Sequence, residues 1–190
     1  MVRSIPMARQ NMHHPCRRGG AKRRPVQGIW YGECAVSNET RTPADSEVML
    51  AQLMLPDDAN PSGDVHGGVV MKLVDTAAGL AAMRHARSRA VTVAMDSMTF
   101  EAPVHIGDLL HLVARLTWTG RTSMEIQVVV EAEDVLTGVR RRTSTAYLVY
   151  VALDGNGKPH PIPPLTPETE EDRARWAAAE RRRAVRLAHG

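Results

Sequence analysis

The chain has 190 residues, 43% of them hydrophobic and 24% charged, a balance that fits one globular domain with a core of its own and excludes a low-hydrophobicity disordered chain. No run approaches the ~20 apolar residues of a membrane-spanning helix, and no secretory apolar segment opens the chain. The net charge of +3 is uneven: residues 1–46 hold eight Lys/Arg against three Asp/Glu, so the rest is slightly acidic, which argues against a nucleic-acid surface over the whole domain.

Residues 1–46 carry no helical or strand period and read as a disordered leader or an upstream start, with Met49 as an alternative beginning. A basic arm for anionic partners, built on Lys22-Arg23-Arg24, and an organelle presequence are the competing readings. His13, His14 and Cys16 lack a second ligand pair at fitting spacing, so no metal is expected there. The two cysteines, Cys16 and Cys34, read as free thiols in a reducing compartment, which predicts a cytoplasmic protein.

Glu47–Leu55 is expected to be a first strand, closed by Pro56. Asp57–Asp64 is a loop whose Pro61, Ser62 and Gly63 favour turns. From Gly67 to His85 the apolar residues cover almost every direction of a helix, which predicts a helix wrapped by protein on most sides. One acid, Asp75, lies in its middle. Val91–Phe100 and Leu109–Thr119 read as strands, the second with Leu110, Leu112, Ala114, Leu116 and Trp118 on one face. Thr122–Glu133 alternates cleanly, with Met124, Ile126, Val128 and Val130 inward and Ser123, Glu125, Gln127 and Glu131 outward. Val139–Leu153 is the last strand, and the short connections predict an antiparallel meander. Asp154–Gly157 resembles the start of a calcium loop, but the spacing fails by Lys158 and a turn is the better account. Residues 167–190 form a charged helix with acids first and arginines last, including an i,i+4 pair of Glu171 and Arg175; the arginines Arg181–Arg183 read as a solvated end. The whole is α+β: a long central helix wrapped by a curled antiparallel sheet of about five strands in residues 47–166, plus the C-terminal helix. One such unit leaves a sheet edge and part of the helix bare, which favours pairing with a second copy.

The residues Pro56-Asp57-Asp58-Ala59-Asn60, Gly63-Asp64-Val65-His66-Gly67-Gly68 and Met71-Lys72-Leu73-Val74-Asp75 resemble those of the hotdog-fold acyl-CoA thioesterases, in particular the cytosolic long-chain acyl-CoA hydrolases and their single-domain bacterial relatives. The likeness continues through Phe100-Glu101-Ala102-Pro103, Gly120-Arg121-Thr122-Ser123-Met124 and Leu136-Thr137-Gly138, over about residues 48–185. It implies a helix inside a curled sheet, dimers that share one continuous sheet, and assembly into a trimer of dimers. It also implies catalytic roles for Asn60 and Asp75, with Asn60 of one subunit meeting Asp75 of the other.

Thioester hydrolysis requires a base for the attacking water and donors for the developing oxyanion. Asp75 in apolar surroundings would suit a base, unless hydrogen bonds lower it again, and direct attack to form an anhydride is the alternative. Asn60 offers an amide that can place water or substrate, although before Pro61 it is by default a turn residue. His66, Gly67 and Gly68 open the helix, where backbone N–H groups form an oxyanion or substrate site. Coenzyme A phosphates call for cations: Arg121 with Thr122 and Ser123 first, Arg140 and Arg142 second. The acyl-CoA is the substrate, and no separate cofactor or metal is expected. A non-catalytic acyl-CoA-binding regulator is the alternative function; its usual DNA-binding helices find no periodic counterpart in residues 1–46. A dehydratase would want a His/acid pair, for which only His66 is near.

Overall fold

The computed structural model describes residues 40–188. The expectations for Cys16, Cys34, the His13/His14 pair and the basic cluster lie outside the described residues. A short helical turn, α1 (Pro43–Ser46), leads into β1 (Val48–Leu53). The long helix α2 (Gly67–Ala86) follows, then β2 (Arg89–Phe100), β3 (Leu109–Thr119), β4 (Ser123–Asp134), β5 (Val139–Leu153) and α3 (Glu170–Ala188). The strands form one antiparallel sheet in the order β1-β3-β4-β5-β2. β3, β4 and β5 are a meander, as expected, while β2 leaves the helix and pairs with β5 at the far edge. The central helix inside a five-stranded antiparallel sheet, with a C-terminal helix outside, is the hotdog architecture that the resemblance implied.

The inner face of the sheet supplies Leu110, Leu112, Ile126, Val128 and Leu148, all fully buried, against Val70, Val74, Ala77, Ala78 and Ala81 of α2. Five of the buried helix positions are alanine, which lets the sheet come close along the axis. Burial is one-sided, however. Met71, Asp75, Leu80 and Met83 face outward, beside the exposed Val91, Val93 and Met95 of edge strand β2. Part of the helix is therefore left bare within one chain, as expected of a single unit. Five strands cannot curl far enough to close around it, and the bare stripe ends at an unpaired strand edge.

The outer face of the sheet is covered by α3, and here several readings need correction. Trp118 does not join the core face of β3. The register steps from Leu116 opposite Ile126 to Trp118 opposite Glu125, so Thr117 is an extra residue and the bulge turns Trp118 outward. There its ring lies 6.1 Å from that of Trp176 on α3. Gly120 closes the hairpin because a Cβ at that position would sit 2.7 Å from the Trp118 ring. Glu125, read as facing solvent, is on the outer side of β4 but only 1% exposed. Thr117 Oγ1 donates to it at 2.6 Å and Arg182 at 2.7 and 3.1 Å. Arg182 is thus turned inward, over the Tyr147 ring at 3.7 Å, and is no part of a solvated end. Arg115 bridges to Asp172 at 3.0 Å, and Arg186 pairs with Asp96 on β2. The Glu171–Arg175 pair forms as expected, at 2.6 Å.

Residues 40–46, read as leader, belong to the folded unit. Arg41 N–H donates to the Pro164 carbonyl at 2.9 Å and its own carbonyl accepts from Thr166 N–H at 2.7 Å. Ser46 is buried and hydrogen-bonded to Nδ1 of His85 at 2.9 Å, while Nε2 of His85 donates to the Pro163 carbonyl at 2.8 Å. One imidazole thereby ties α1, the end of α2 and the proline-rich segment together. The turn at Asp154 is also as expected, its Oδ1 accepting from the N–H groups of Asn156 and Lys158 at 2.8 and 2.9 Å.

Two outcomes follow from these contacts. Arg182→Ala strands a buried carboxylate and lowers stability by about 3 kcal/mol, whereas Arg173→Ala, from an exposed i,i+3 pair, changes it by less than about 0.5 kcal/mol; urea denaturation of both variants measures the contrast. Burial pushes His85 below the ordinary imidazole value, aided by the Arg41 charge and opposed by the Pro163 carbonyl. The unfolded chain binds the proton more readily, so this contribution is full above about pH 6.5 and is lost as the pH falls below it. Thermal melts across that range show the loss, and His85→Gln flattens the pH dependence at a lower overall stability.

Candidate active site

The loop before α2 is a tight hairpin, with Ala59 bridged to Val65 and Gly63 at φ +91°. It aims Asn60 into a cleft of about 390 Å³ at the mouth of α2, lined also by Val65, Gly67, Val70, Phe100 and Glu101. Asn60 Oδ1 accepts from Ser62 N–H at 2.8 Å, and its main-chain N–H donates to the Asp64 carbonyl at 2.7 Å. The turn role and a binding role therefore coexist: the oxygen holds the loop, and the side-chain NH2 makes no hydrogen bond among the described residues. Asp64 itself pairs with His105 Nδ1 at 2.7 Å on the rim.

His66 is the residue before the helix, and its Nδ1 accepts from Gly68 N–H at 2.9 Å. It caps the helix in the way a Ser or Asp side chain would. The expectation that both glycine N–H groups lie open is corrected: Gly68 is engaged by His66. Gly67 N–H, at the first helical position, has no intrahelical partner and points the positive end of α2 toward the cleft.

Asp75 does not line that cleft. It lies two turns further along α2, roughly 12 Å at the helical rise per residue. Nor is it hidden, contrary to the expectation of an acid in apolar surroundings: it is on the exposed face. Its Oδ1 accepts from Thr92 Oγ1 of β2 at 2.7 Å and from the Tyr150 hydroxyl of β5 at 2.7 Å. These two partners were missed in the sequence. Nothing in the local pattern distinguishes Thr92 from other outward strand residues, and Tyr150 looks like one more inward core residue. Only the cross-strand register, which sets Thr92 opposite Tyr150, reveals the pair.

The two sets of candidate cations lie at opposite ends of β4, roughly 35 Å apart. Arg140 and Arg142 sit at the cleft end, where Glu101 N–H donates to the Thr143 carbonyl at 2.7 Å. Arg140 is engaged by Glu133 at 2.7 Å, while Arg142 is exposed. Arg121 is exposed in the β3–β4 hairpin, and the carbonyls of Arg121, Thr122 and Ser123 accept from Ile162, Ala152 and Gly120. One chain cannot bring both sets to one ligand. Among the described residues no group of three His, Cys, Asp or Glu is arranged to hold a metal ion, and no helix is long and apolar enough to cross a membrane.

Comparison with known proteins places these residues in context. The family model of the thioesterase superfamily matches residues 62–139. An uncharacterized acyl-CoA thioester hydrolase of Bacillus subtilis is 41% identical over 134 residues, covering 70% of this chain and 78% of its own. The cytosolic acyl coenzyme A thioester hydrolase of Mus musculus is 39% identical over 140 residues, covering 73% of this chain but 37% of the mouse protein. Among solved structures, an apo-hexameric acyl-CoA thioesterase superposes with a TM-score of 0.77 at 38% identity, covering 80% of this chain and 97% of the other. The acyl-CoA hydrolase of Staphylococcus aureus, in complex with butyryl coenzyme A and coenzyme A, gives 0.75 at 31% identity, covering 80% and 92%. That enzyme is also known with an asparagine, an aspartate or a threonine replaced by alanine. The three positions are separated by 15 and 17 residues, the same spacings that separate Asn60, Asp75 and Thr92 here.

Proposed function

The chain belongs to the acyl-CoA thioester hydrolases of the thioesterase superfamily, and from that premise we propose that it hydrolyses fatty acyl-CoA to a free fatty acid and coenzyme A, in a site that two copies build together from Asn60 of one and Asp75 of the other. One observation carries this reading. Asn60 lines the cleft at the helix mouth, whereas Asp75 lies outside it, on the bare face of α2 beside the unpaired edge of β2.

Pairing two β2 edges antiparallel about a twofold axis continues the sheet and covers Val91, Val93 and Met95. It also sets the two α2 helices side by side in opposite directions, so Asp75 of the second copy approaches the Asn60 cleft of the first. The same operation carries the Arg121–Ser123 hairpin of the second copy toward the Arg142 end of the first. Two cation sets that are far apart in one chain then serve one coenzyme A. The spacing match with the substituted residues of the Staphylococcus aureus enzyme supports the choice of Asn60 and Asp75. The hexameric relatives support a trimer of such dimers, and the cytosolic relative supports a cytoplasmic location.

Within the site, water held by the Asn60 amide attacks the thioester carbonyl carbon while Asp75 takes its proton. The oxyanion is met by Gly67 N–H and the positive end of α2. The C–S bond breaks, and the coenzyme A thiolate leaves with the proton held by Asp75. Attack by Asp75 itself, giving an anhydride that water then opens, uses the same placement. Coenzyme A is part of the substrate, and the reaction needs no further cofactor.

Thiol release from long-chain acyl-CoA by the purified protein tests the activity. Asp75→Ala and Asn60→Ala each lower kcat by at least about 100-fold with the oligomer intact; wild-type turnover in Asp75→Ala overturns the assignment. Mixing the two inactive variants and exchanging their subunits restores activity, because a mixed dimer holds one site with both residues. No recovery from exchanged, correctly assembled variants rules out the shared site.

A further inference from the structure

We propose that Tyr150 is a positioning residue for Asp75: its phenol and the Thr92 hydroxyl clamp Oδ1 of the carboxylate and leave Oδ2 alone to act on the substrate. The inference deepens the reading of Asp75 as the acid of the site and rests on it.

Tyr150 is 2% exposed and points from β5 into the space between sheet and helix. Its hydroxyl donates to Asp75 Oδ1 at 2.7 Å and also lies 2.9 Å from the Asp75 main-chain carbonyl. Thr92, directly opposite Tyr150 across the β2–β5 pair, donates to the same Oδ1 at 2.7 Å. The register shifts immediately afterwards, between Thr92 and Ala94; such bulges re-aim side chains beside functional sites. No hydrogen bond to Oδ2 is formed among the described residues. The Tyr150 ring packs against Gly79, one helical turn beyond Asp75, where a Cβ would make ordinary contact with Cε1 and the hydroxyl at 3.6 Å.

Filling this space does not require a hydroxyl, since phenylalanine has nearly the same volume. A buried hydroxyl is favourable only with a partner, and its partner here is the one acid on the exposed face of the helix. Burial, then the hydrogen bond and charge of Asp75, hold the Tyr150 hydroxyl well above its ordinary ionisation range, with Thr92 acting in the opposite sense. It remains a proton donor throughout the working pH range. The packed elements present Thr92 from β2 and Tyr150 from β5; on α2 itself the nearest charge by position is Lys72, one turn before. Two donors on one oxygen stop the carboxylate from turning.

Tyr150→Phe tests the clamp. A tenfold or greater fall in kcat is expected, with KM within about twofold, because the carboxylate that acts on the substrate is then held by Thr92 alone. Difluorotyrosine at position 150 keeps both the ring and the donor and retains near-wild-type kcat, so it reports even where the Phe variant folds poorly. Unchanged kcat in Tyr150→Phe, with Asp75→Asn inactive, reduces Tyr150 to a packing residue and overturns the proposal alone. Wild-type turnover in Asp75→Asn overturns the assignment of Asp75 and the proposal with it.

Discussion

Everything distinctive about this fold follows from a mismatch between one helix and one sheet. α2 is apolar around most of its circumference, and five strands cover only one side of it. The side that remains bare carries Met71, Leu80 and Met83 and ends at the unpaired backbone of β2. Hydrophobic burial and edge-strand pairing therefore ask for the same solution, a second copy docked along that seam. Asp75 lies on that seam and is exposed in the single chain, so the proposed pairing would enclose it.

The outer face of the sheet solves a different problem. A sheet built around a helix on one side leaves its other side to water, and β3 and β4 carry Trp118 and a nearly inaccessible Glu125 there. α3 covers both, with Trp176 on the tryptophan and Arg182 on the acid. Because its last turn also reaches Asp96 on β2, the helix braces the very edge strand along which a second copy would pair. Stability on the outside and geometry at the seam are mechanically connected through that strand.

Much of this was legible in the chain. The alternation of Met124, Ile126, Val128 and Val130 specified β4 and its inward face, because a half-buried strand must repeat every two residues. The helix and its acid were equally plain. What failed had a physical cause in each case. Trp118 broke its pattern at a one-residue bulge, which no period can announce. Arg182 and Glu125 are far apart in sequence and meet only because α3 folds back over β4. Thr92 and Tyr150 gained their significance from standing opposite each other across two strands separated by most of the sheet in sequence. The bare seam was visible as an excess of apolar surface, but its extent emerged only from the curvature of the sheet.

The buried imidazole of His85 has a consequence for where the folded unit begins. Its Nδ1 is satisfied by Ser46, and the same stretch brings Arg41 to the carbonyls at the end of α2 and to the segment at Pro164. A polypeptide started at Met49 would keep the long helix and all of the sheet but Val48 of β1, yet the His85 Nδ1 would lose the hydroxyl that satisfies it. It would also leave the last carbonyls of α2 without their guanidinium. The short, unpatterned stretch before β1 is thus what closes the far end of the helix, held there by hydrogen bonds rather than by a regular strand.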